Sequence, residues 1–258
     1  MIDLHSHILP GIDDGPETLD KSIELAKEYE DAGFKQIVAT PHWISGTAWM
    51  ASANHVLQKV SAFNQELKRG HSAIHVYAGQ EIAIDNNIAA LLDQKQVLSL
   101  AGGPYVLIES PFQRFPFRWQ EIFFAILSGG YRILLAHPER CDQIINDPSM
   151  IDAVLDVGAY LQVNADSFLG RYGKPVEKTA FRLAAQGYIH CLATDSHDPV
   201  YRSPRNFKKA LALAERYIGP ENTDIIVRQN PARVLNGRPL VMCESANRDK
   251  QRKKRWKF

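Results

Sequence analysis

Three cysteines in 258 residues are too few for a disulfide framework and suit a reducing compartment. No apolar run is long enough for a transmembrane helix, and the opening residues lack a basic region and are interrupted by Asp3, which argues against a signal peptide. The GxxxxGK[ST] loop that cradles nucleotide phosphates is missing. Internal repeats and low-complexity linkers are also absent. What remains is an ordinary globular composition, 45% hydrophobic and 23% charged, enough for one large domain and too apolar for a disordered chain.

The net charge of +1 averages two unlike parts. From Asn247 to Phe258 seven Lys or Arg stand against one Asp, which leaves residues 1–246 at about −5 by charge counting. We therefore expect a single domain over 1–246 and a basic tail over 247–258. Such a tail suits an anionic membrane surface, an acidic protein segment or plain solvation. Nucleic acid is not expected, because the basic residues are confined to one terminus of an acidic body.

Short β-branched runs alternate with longer amphipathic segments. The spacing predicts strands at Ile2–Ser6, Gln36–Thr40, Ile74–Ala78, Tyr105–Glu109, Arg132–Ala136, Ala159–Val163 and Ile189–Thr194. Most are continuously apolar, as parallel strands covered on both faces should be. Predicted helices span Thr18–Ala32, with Leu19, Ile23 and Ala26 as its apolar stripe, then 49–69, 117–128, 148–156, 175–186 and 205–217. Asp147 before Pro148 reads as a helix start, and Gly33, Gly158 and Gly187 as helix stops. An α/β fold follows, with a closed barrel favoured over an open sheet by the polar residues that end the strands.

Those polar residues carry the chemistry. In DLHSHILPGIDDG, His5 and His7 stand two apart in an extended segment and face the same side, with Asp14 returning from the glycine-containing loop. His42 lies in ATPHW, Glu81 in AGQEI, Glu109 in LIESP, His137 in LLAHPER, and Asp195 and His197 in LATDSHDP. Five imidazoles and four carboxylates would be costly to bury together without cations, and the mixed set suits manganese, zinc or iron better than calcium.

In order and in combination, these motifs resemble the PHP (polymerase and histidinol phosphatase) superfamily, and within it the bacterial tyrosine-protein phosphatases of capsule and exopolysaccharide synthesis. The resemblance covers roughly residues 1–240 and implies a distorted seven-stranded (β/α) barrel of TIM-like type with metals at the C-terminal rim. It implies that His5, His7, Glu81 and Asp195 hold one metal, that Glu81, Glu109 and His137 hold a second with Glu81 bridging, and that Asp14, His42 and His197 hold a third. Carboxylates at Asp14 and Glu109, where other PHP phosphatases commonly use histidine, favour this branch and make Mn2+ the expected ion, with Zn2+, Fe2+ and Co2+ as alternatives. The implied reaction is hydrolysis of phosphotyrosine on a bacterial tyrosine kinase by metal-activated water, in the cytoplasm or peripherally at the inner face of the membrane.

Arg140 matches the branch's phosphate-binding arginine; its bland alternative is an ion pair with Glu139. Arg202 is the preferred second arginine, with Arg205 close enough to compete. Cysteine-dependent phosphatase chemistry is excluded, because the positions six residues after Cys141, Cys191 and Cys243 hold Asp147, His197 and Asp249 rather than arginine. Trp43, Trp49, Phe112, Phe115, Phe117 and Trp119 are candidates to line a groove for a phenyl ring, and Arg114 and Arg118 to attract acidic peptide residues. Two other functions fit less well: a PHP phosphoesterase for a small metabolite such as histidinol phosphate, and a metal-stabilised adaptor without catalysis.

Overall fold

The structure, a computed structural model, describes residues 1–244. The basic tail expected over 247–258 lies outside the described residues. Along the chain run β1 (Ile2–Ser6), α1 (Leu19–Ala32), β2 (Gln36–Ala39), β3 (His42–Trp43), α2 (Ala53–Arg69), β4 (His75–Ala78), β5 (Glu81–Ala83), α3 (Ile88–Asp93), β6 (Tyr105–Glu109) and α4 (Trp119–Ser128). They are followed by β7 (Arg132–Ala136), α5 (Asp142–Asn146), α6 (Ser149–Asp156), β8 (Tyr160–Asn164), α7 (Lys174–Gln186), β9 (Cys191–Ala193), α8 (Phe207–Asp224) and α9 (Asn230–Leu235). No helix among the described residues is long and apolar enough to cross a membrane.

Every strand pairing is parallel, in the orders β1-β2-β4 and β3-β5-β6-β7-β8-β9. β6 is buried along its whole length, and β7 and β8 along all but their first residue, which accounts for their unbroken apolar sequences. All seven expected strands appear, and two short strands that the sequence did not lead us to expect, β3 and β5, follow the second and third. Pro41, with no N–H to donate, breaks the ladder between β2 and β3, and its carbonyl accepts from Glu81 N at 3.1 Å. Gly79 and Gln80 break it between β4 and β5, where a Cβ on Gly79 would stand 2.9 Å from Val38 Cγ1.

These breaks leave two parallel sheets in place of one continuous ladder. The first and last strands meet through few backbone bonds: Asp195 N donates to His5 O at 3.0 Å and His7 N to Ser196 O at 2.9 Å. Asp3 extends that seam with its side chain. Fully buried, its carboxylate accepts from Thr194 N at 3.1 Å, from Thr194 Oγ1 at 2.5 Å and from Tyr29 OH at 2.7 Å. Burial raises the Asp3 pKa despite these donors.

α1 shows how tertiary packing overrode the apparent stripe. Thr18 caps it, accepting from Lys21 N, and Gly33 ends it at φ 91°, a left-handed conformation open to glycine. Its buried face is Ser22, Leu25, Ala26, Tyr29 and Ala32, whereas Leu19 and Ile23 are 38% and 40% exposed. The helix is turned so that the Tyr29 hydroxyl reaches Asp3, and a small Ser22 fits where Ile23 was expected. The expected signals at three other boundaries hold, since Asp147 accepts from Ser149 N and Gly158 and Gly187 take positive φ, whereas the helices expected over 49–69 and 205–217 run Ala53–Arg69 and Phe207–Asp224.

Tyr29→Phe removes one donor from a carboxylate that water does not reach, so we expect a loss of about 1–3 kcal/mol and a drop in Tm of roughly 2–8 °C. Scanning calorimetry of the metal-loaded protein reads this directly. An unchanged Tm would mean that the Asp3 cluster does not tie the first strand to the last.

Candidate metal centre

Because all strands run parallel, their C-terminal ends converge on one rim, the usual place for sites in α/β folds. β1 brings His5, the loop behind it His7 and Asp14, β3 His42, β5 Glu81, β6 Glu109, the turn after β7 His137, and the loop after β9 Asp195 and His197. All nine sequence-predicted donors fall into four overlapping groups able to hold a cation: His7, Asp14, His42 and His197; His5, His7 and Glu81; His5, His137 and Asp195; His42, Glu81 and Glu109. His137 and Asp195 sit at φ 35° and 54°, conformations that side chains other than glycine rarely adopt and that concentrate at functional sites.

The distances are those of atoms sharing a common centre. His5 Nε2 and His7 Nε2 are 3.2 Å apart, each 3.3 Å from Glu81 Oε2 and 3.4 and 3.5 Å from Asp195 Oδ1. Glu81 turns its other oxygen, Oε1, toward His137 Nε2 at 2.8 Å, while Oε2 also lies 3.0 Å from His42 Nδ1. Asp14 Oδ1 lies 3.2 Å from His197 Nε2 and 3.5 Å from His42 Nε2. Glu109 is the looser member, 4.0 Å from His42 Nδ1.

Hydrogen bonds around this centre fix which ring nitrogens face inward. Asp195 Oδ2 can only accept, so Asn164 presents its Nδ2 there at 2.8 Å and its Oδ1 to Gln162 Nε2 at 2.8 Å. Gln162 Oε1 is thereby turned to His5 Nδ1 at 2.8 Å, which places the proton on Nδ1 and the lone pair on Nε2. Asp13 does the same for His7, accepting from Nδ1 at 2.7 Å and from His42 N at 3.0 Å, and the Asp195 carbonyl does so for His197 at 3.0 Å. Lone pairs of His5, His7 and His197 thus face carboxylate oxygens, a repulsive arrangement that a cation relieves. His42 Nδ1, Glu81 Oε2, His137 Nδ1 and His197 Nε2 are buried without a hydrogen-bond partner. The donor set fits divalent metal ions.

Electrostatics show how tightly the charges are coupled. Burial acts to raise the pKa of Glu81 and Asp195, but positive charge at the ring nitrogens that face them, His5 first, with the neighbouring donors, outweighs it and holds both well below the usual carboxylate range. A cation, whether proton or metal ion, therefore belongs between these groups. Glu109 is pushed up to about 7 by burial and by the charge of Glu81, which His42, His7 and His5 only partly offset. Burial lowers His7, yet Asp13 and Glu81 more than reverse the effect.

Above the centre lies a cavity of about 290 Å³ whose walls include Asp14, Glu109, Trp49, Phe112, Arg140 and Arg202. Arg140 Nη1 and Arg202 Nη2 both donate to Asp195 Oδ2, at 3.0 and 2.9 Å. Arg205 points elsewhere, forming a two-pronged pair with half-buried Glu28 at 3.0 and 2.7 Å, so that of the two candidates it is Arg202 that reaches the cavity. The alternative pairing of Arg140 with Glu139 does not form. Glu139 is buried and accepts from Asn164 N at 2.9 Å and Ser167 Oγ at 2.6 Å, and burial pushes its pKa up to about 7.

Of the aromatic candidates, only Trp49 and Phe112 line the cavity. Trp49 stacks on His42 with centroids 5.1 Å apart and Phe112 on His137 at 6.0 Å. Trp43, Phe115 and Trp119 are core, Phe117 is 92% exposed, Arg114 is exposed and Arg118 is occupied by Glu121. Asp13, Gln162 and Asn164 were not singled out as site residues from the sequence. Gln162 and Asn164 alternate on β8, a strand with no ligand candidate on it or next to it, and that i, i+2 polar pair in an apolar strand was the available signal.

The family model for capsular polysaccharide synthesis, CpsB/CapC, matches residues 1–236. The tyrosine-protein phosphatase YwqE of Bacillus subtilis (strain 168) is 34% identical over 223 residues, 86% of either chain. The putative tyrosine-protein phosphatase CapC of Staphylococcus aureus is 30% identical over 201 residues, 76% of this chain and 77% of its own. A solved chain from the crystal structures of YwqE from Bacillus subtilis and CpsB from Streptococcus pneumoniae, described as unique metal-dependent tyrosine phosphatases, superposes with a TM-score of 0.89 at 32% identity, covering 94% of this chain and 97% of that one. Molinate hydrolase shares the fold at a TM-score of 0.56 and 12% identity over 95% of this chain and 74% of its own.

Asp13→Asn keeps the size of the side chain but weakens its hold on the His7 Nδ1 proton. Outer partners of this kind typically contribute 10–100-fold to metal affinity, and a loss of about that size is expected in competition titrations with a chelating dye. Unaltered affinity in a folded variant would show that His7 is oriented without Asp13.

Proposed function

We propose that this chain, which belongs to the capsular polysaccharide synthesis family CpsB/CapC, works as a metal-dependent tyrosine-protein phosphatase. The observation that carries this reading is the meeting of two chemistries on one carboxylate: Asp195 Oδ1 faces the histidines and Oδ2 receives both arginines. His5, His7, Glu81 and Asp195 would hold one ion, Glu81, Glu109 and His137 a second, and Asp14, His42 and His197 a third. The two oxygens of Glu81, turned toward different histidines, support its role as the shared ligand. Four carboxylates among nine donors favour manganese over zinc. The two sheets, tied by the β1–β9 seam, are read as one distorted seven-stranded (β/α) barrel within a single domain over 1–246.

Ions held at the rim supply Lewis acidity, polarising phosphoryl oxygens and lowering the pKa of water for attack. The residues of the chain do the rest. Arg140 and Arg202 approach from two loops and grip phosphoryl oxygens in charge-assisted hydrogen bonds. Trp49 and Phe112 exclude water and offer flat faces to a phenyl ring. Phenol titrates near pH 10, so tyrosinate departs without a dedicated proton donor. The cysteines take no part, since burial raises the pKa of all three thiols.

The substrate we assign is phosphotyrosine on a bacterial tyrosine kinase of capsule or exopolysaccharide synthesis, met in the cytoplasm or at the inner face of the membrane. Metal-stripped protein should be inactive on a phosphotyrosyl peptide and recover with Mn2+. His5→Ala and His137→Ala should each lose metal and activity while circular dichroism stays native. Arg140→Lys should lose about tenfold or more in kcat/KM, since one ammonium cannot replace a two-pronged grip. A preference for histidinol phosphate over the peptide would move the substrate to a small metabolite, and full metal occupancy without phosphate release would leave an adaptor.

For the basic tail we propose a peripheral contact with anionic lipid. Removing 247–258 should lower co-sedimentation with phosphatidylserine vesicles in a salt-sensitive way and leave aryl phosphate turnover intact. Equal sedimentation of both forms would discard the contact.

A further inference from the structure

Arg140 is held by more than Asp195. Its guanidinium carbon lies over two aromatic rings, 4.3 Å from the centroid of Tyr172 and 4.8 Å from that of Phe112. Both rings are within the range at which the negative face of an aromatic attracts a cation. Phe112 belongs to the cavity wall, but Tyr172 comes from a different part of the chain, the tight loop between the 3-10 turn at Ala165–Leu169 and α7.

That loop is built to be rigid. Gly170 and Gly173 bracket Tyr172 at φ 71° and 95°, and Gly173 N donates back to Gly170 O at 3.1 Å. Arg171 next to it is pinned to Asp166 by an ion pair of 2.6 Å. The Tyr172 hydroxyl is buried without any hydrogen-bond partner. A tyrosine placed for its hydroxyl would have that group satisfied, so the working part of this residue is the ring.

We propose that Tyr172 is a positioning residue: with Phe112 it clamps the Arg140 guanidinium, fixing the plane in which its two N–H prongs meet the phosphoryl group. This rests on the reading of Arg140 as a phosphate anchor. An arginine held only by Asp195 could swivel about that single bond, whereas stacked rings leave it rotation in one plane and lower the ordering cost of binding. The clamp acts on the phosphoryl group shared by substrate and product, so it affects binding of both.

The test compares Tyr172→Leu, Tyr172→Phe, Phe112→Leu, Arg140→Lys and the Tyr172→Leu/Arg140→Lys double variant of the manganese-loaded full chain, with an aryl phosphate as substrate and inorganic phosphate as competitive inhibitor. Tyr172→Leu should raise both KM and the inhibition constant for phosphate by about 5- to 10-fold, the scale of a shielded cation–π contact, with a smaller fall in kcat and unchanged metal content. Tyr172→Phe, which keeps the ring, should restore both constants toward wild type. On the Arg140→Lys background the same change should add little, because the two residues act as one unit.

An unchanged inhibition constant in Tyr172→Leu, damage from Tyr172→Phe equal to that from Tyr172→Leu, or full additivity with Arg140→Lys would each overturn the clamp. Were Arg140→Lys itself to leave the phosphate constant untouched, the anchor reading would fail first and the clamp with it. If Tyr172→Leu does not fold, Phe112→Leu at the half-exposed second face decides: a phosphate constant raised as for Tyr172→Leu supports the clamp, and an unchanged one rejects it.

Discussion

The two oxygens of Asp195 face different chemistries, and the rest of the site is arranged around that division. Oδ1 looks into the histidine cluster, while Oδ2 accepts from Asn164, Arg140 and Arg202 at 2.8–3.0 Å. Burial would raise its pKa, but positive charge at His5, and after it at Arg202, outweighs that effect and keeps the carboxylate charged. The same contacts hold both arginines beside the donor cluster, so that a phosphoryl group gripped by them would stand next to the residues proposed to bind the ions. Its left-handed backbone at φ 54° is the conformational cost of pointing one short side chain in both directions.

Around that residue a second layer spreads the orientation outward through hydrogen bonds. The chain Asp195–Asn164–Gln162–His5 runs through β8, which contributes no ligand, and sets the tautomer of a histidine on β1. Asp13 serves His7 in the same way and also holds His42 through its backbone N–H. Asp3 works one step deeper: it joins the ends of β1 and β9 where backbone pairing is sparse, and the loops that carry His7 and Asp195 start from that seam. Fold stability and site geometry therefore share the same buried polar groups, and a change in one reaches the other.

Much of this was legible in the chain. Continuous apolar runs announced parallel strands, and the polar residue ending each run announced a rim, because a side chain at a strand's C-terminal end has few places to go in a parallel sheet. The nine donors could be named before any coordinates for that reason, and the motif order placed them in a family. Helix starts and stops at Thr18, Gly33, Gly158 and Gly187 rested on local backbone rules and held. The stripe assigned to α1 held only at Ala26, because the helix is turned to bring the Tyr29 hydroxyl to Asp3, a contact that hydrophobicity cannot register.

Sequence alone determined the element types, the ligand candidates and the absence of thiolate phosphatase chemistry, since each depends on residue identity and short-range spacing. Only the tertiary structure decided which arginine joins the site: Arg202 and Arg205 are three residues apart, and the loop after β9 sends one to Asp195 and the other to Glu28. It also decided that Trp49 and Phe112 wall the cavity while Trp43 and Trp119 fill the core, that two unexpected short strands follow Pro41 and Gly79, and that Gln162, Asn164 and Tyr172 serve residues far from them in the chain. Those outcomes depend on where distant segments meet, and hydrogen-bond direction and ring stacking act over a few ångströms in space, a separation that distance along the chain does not encode.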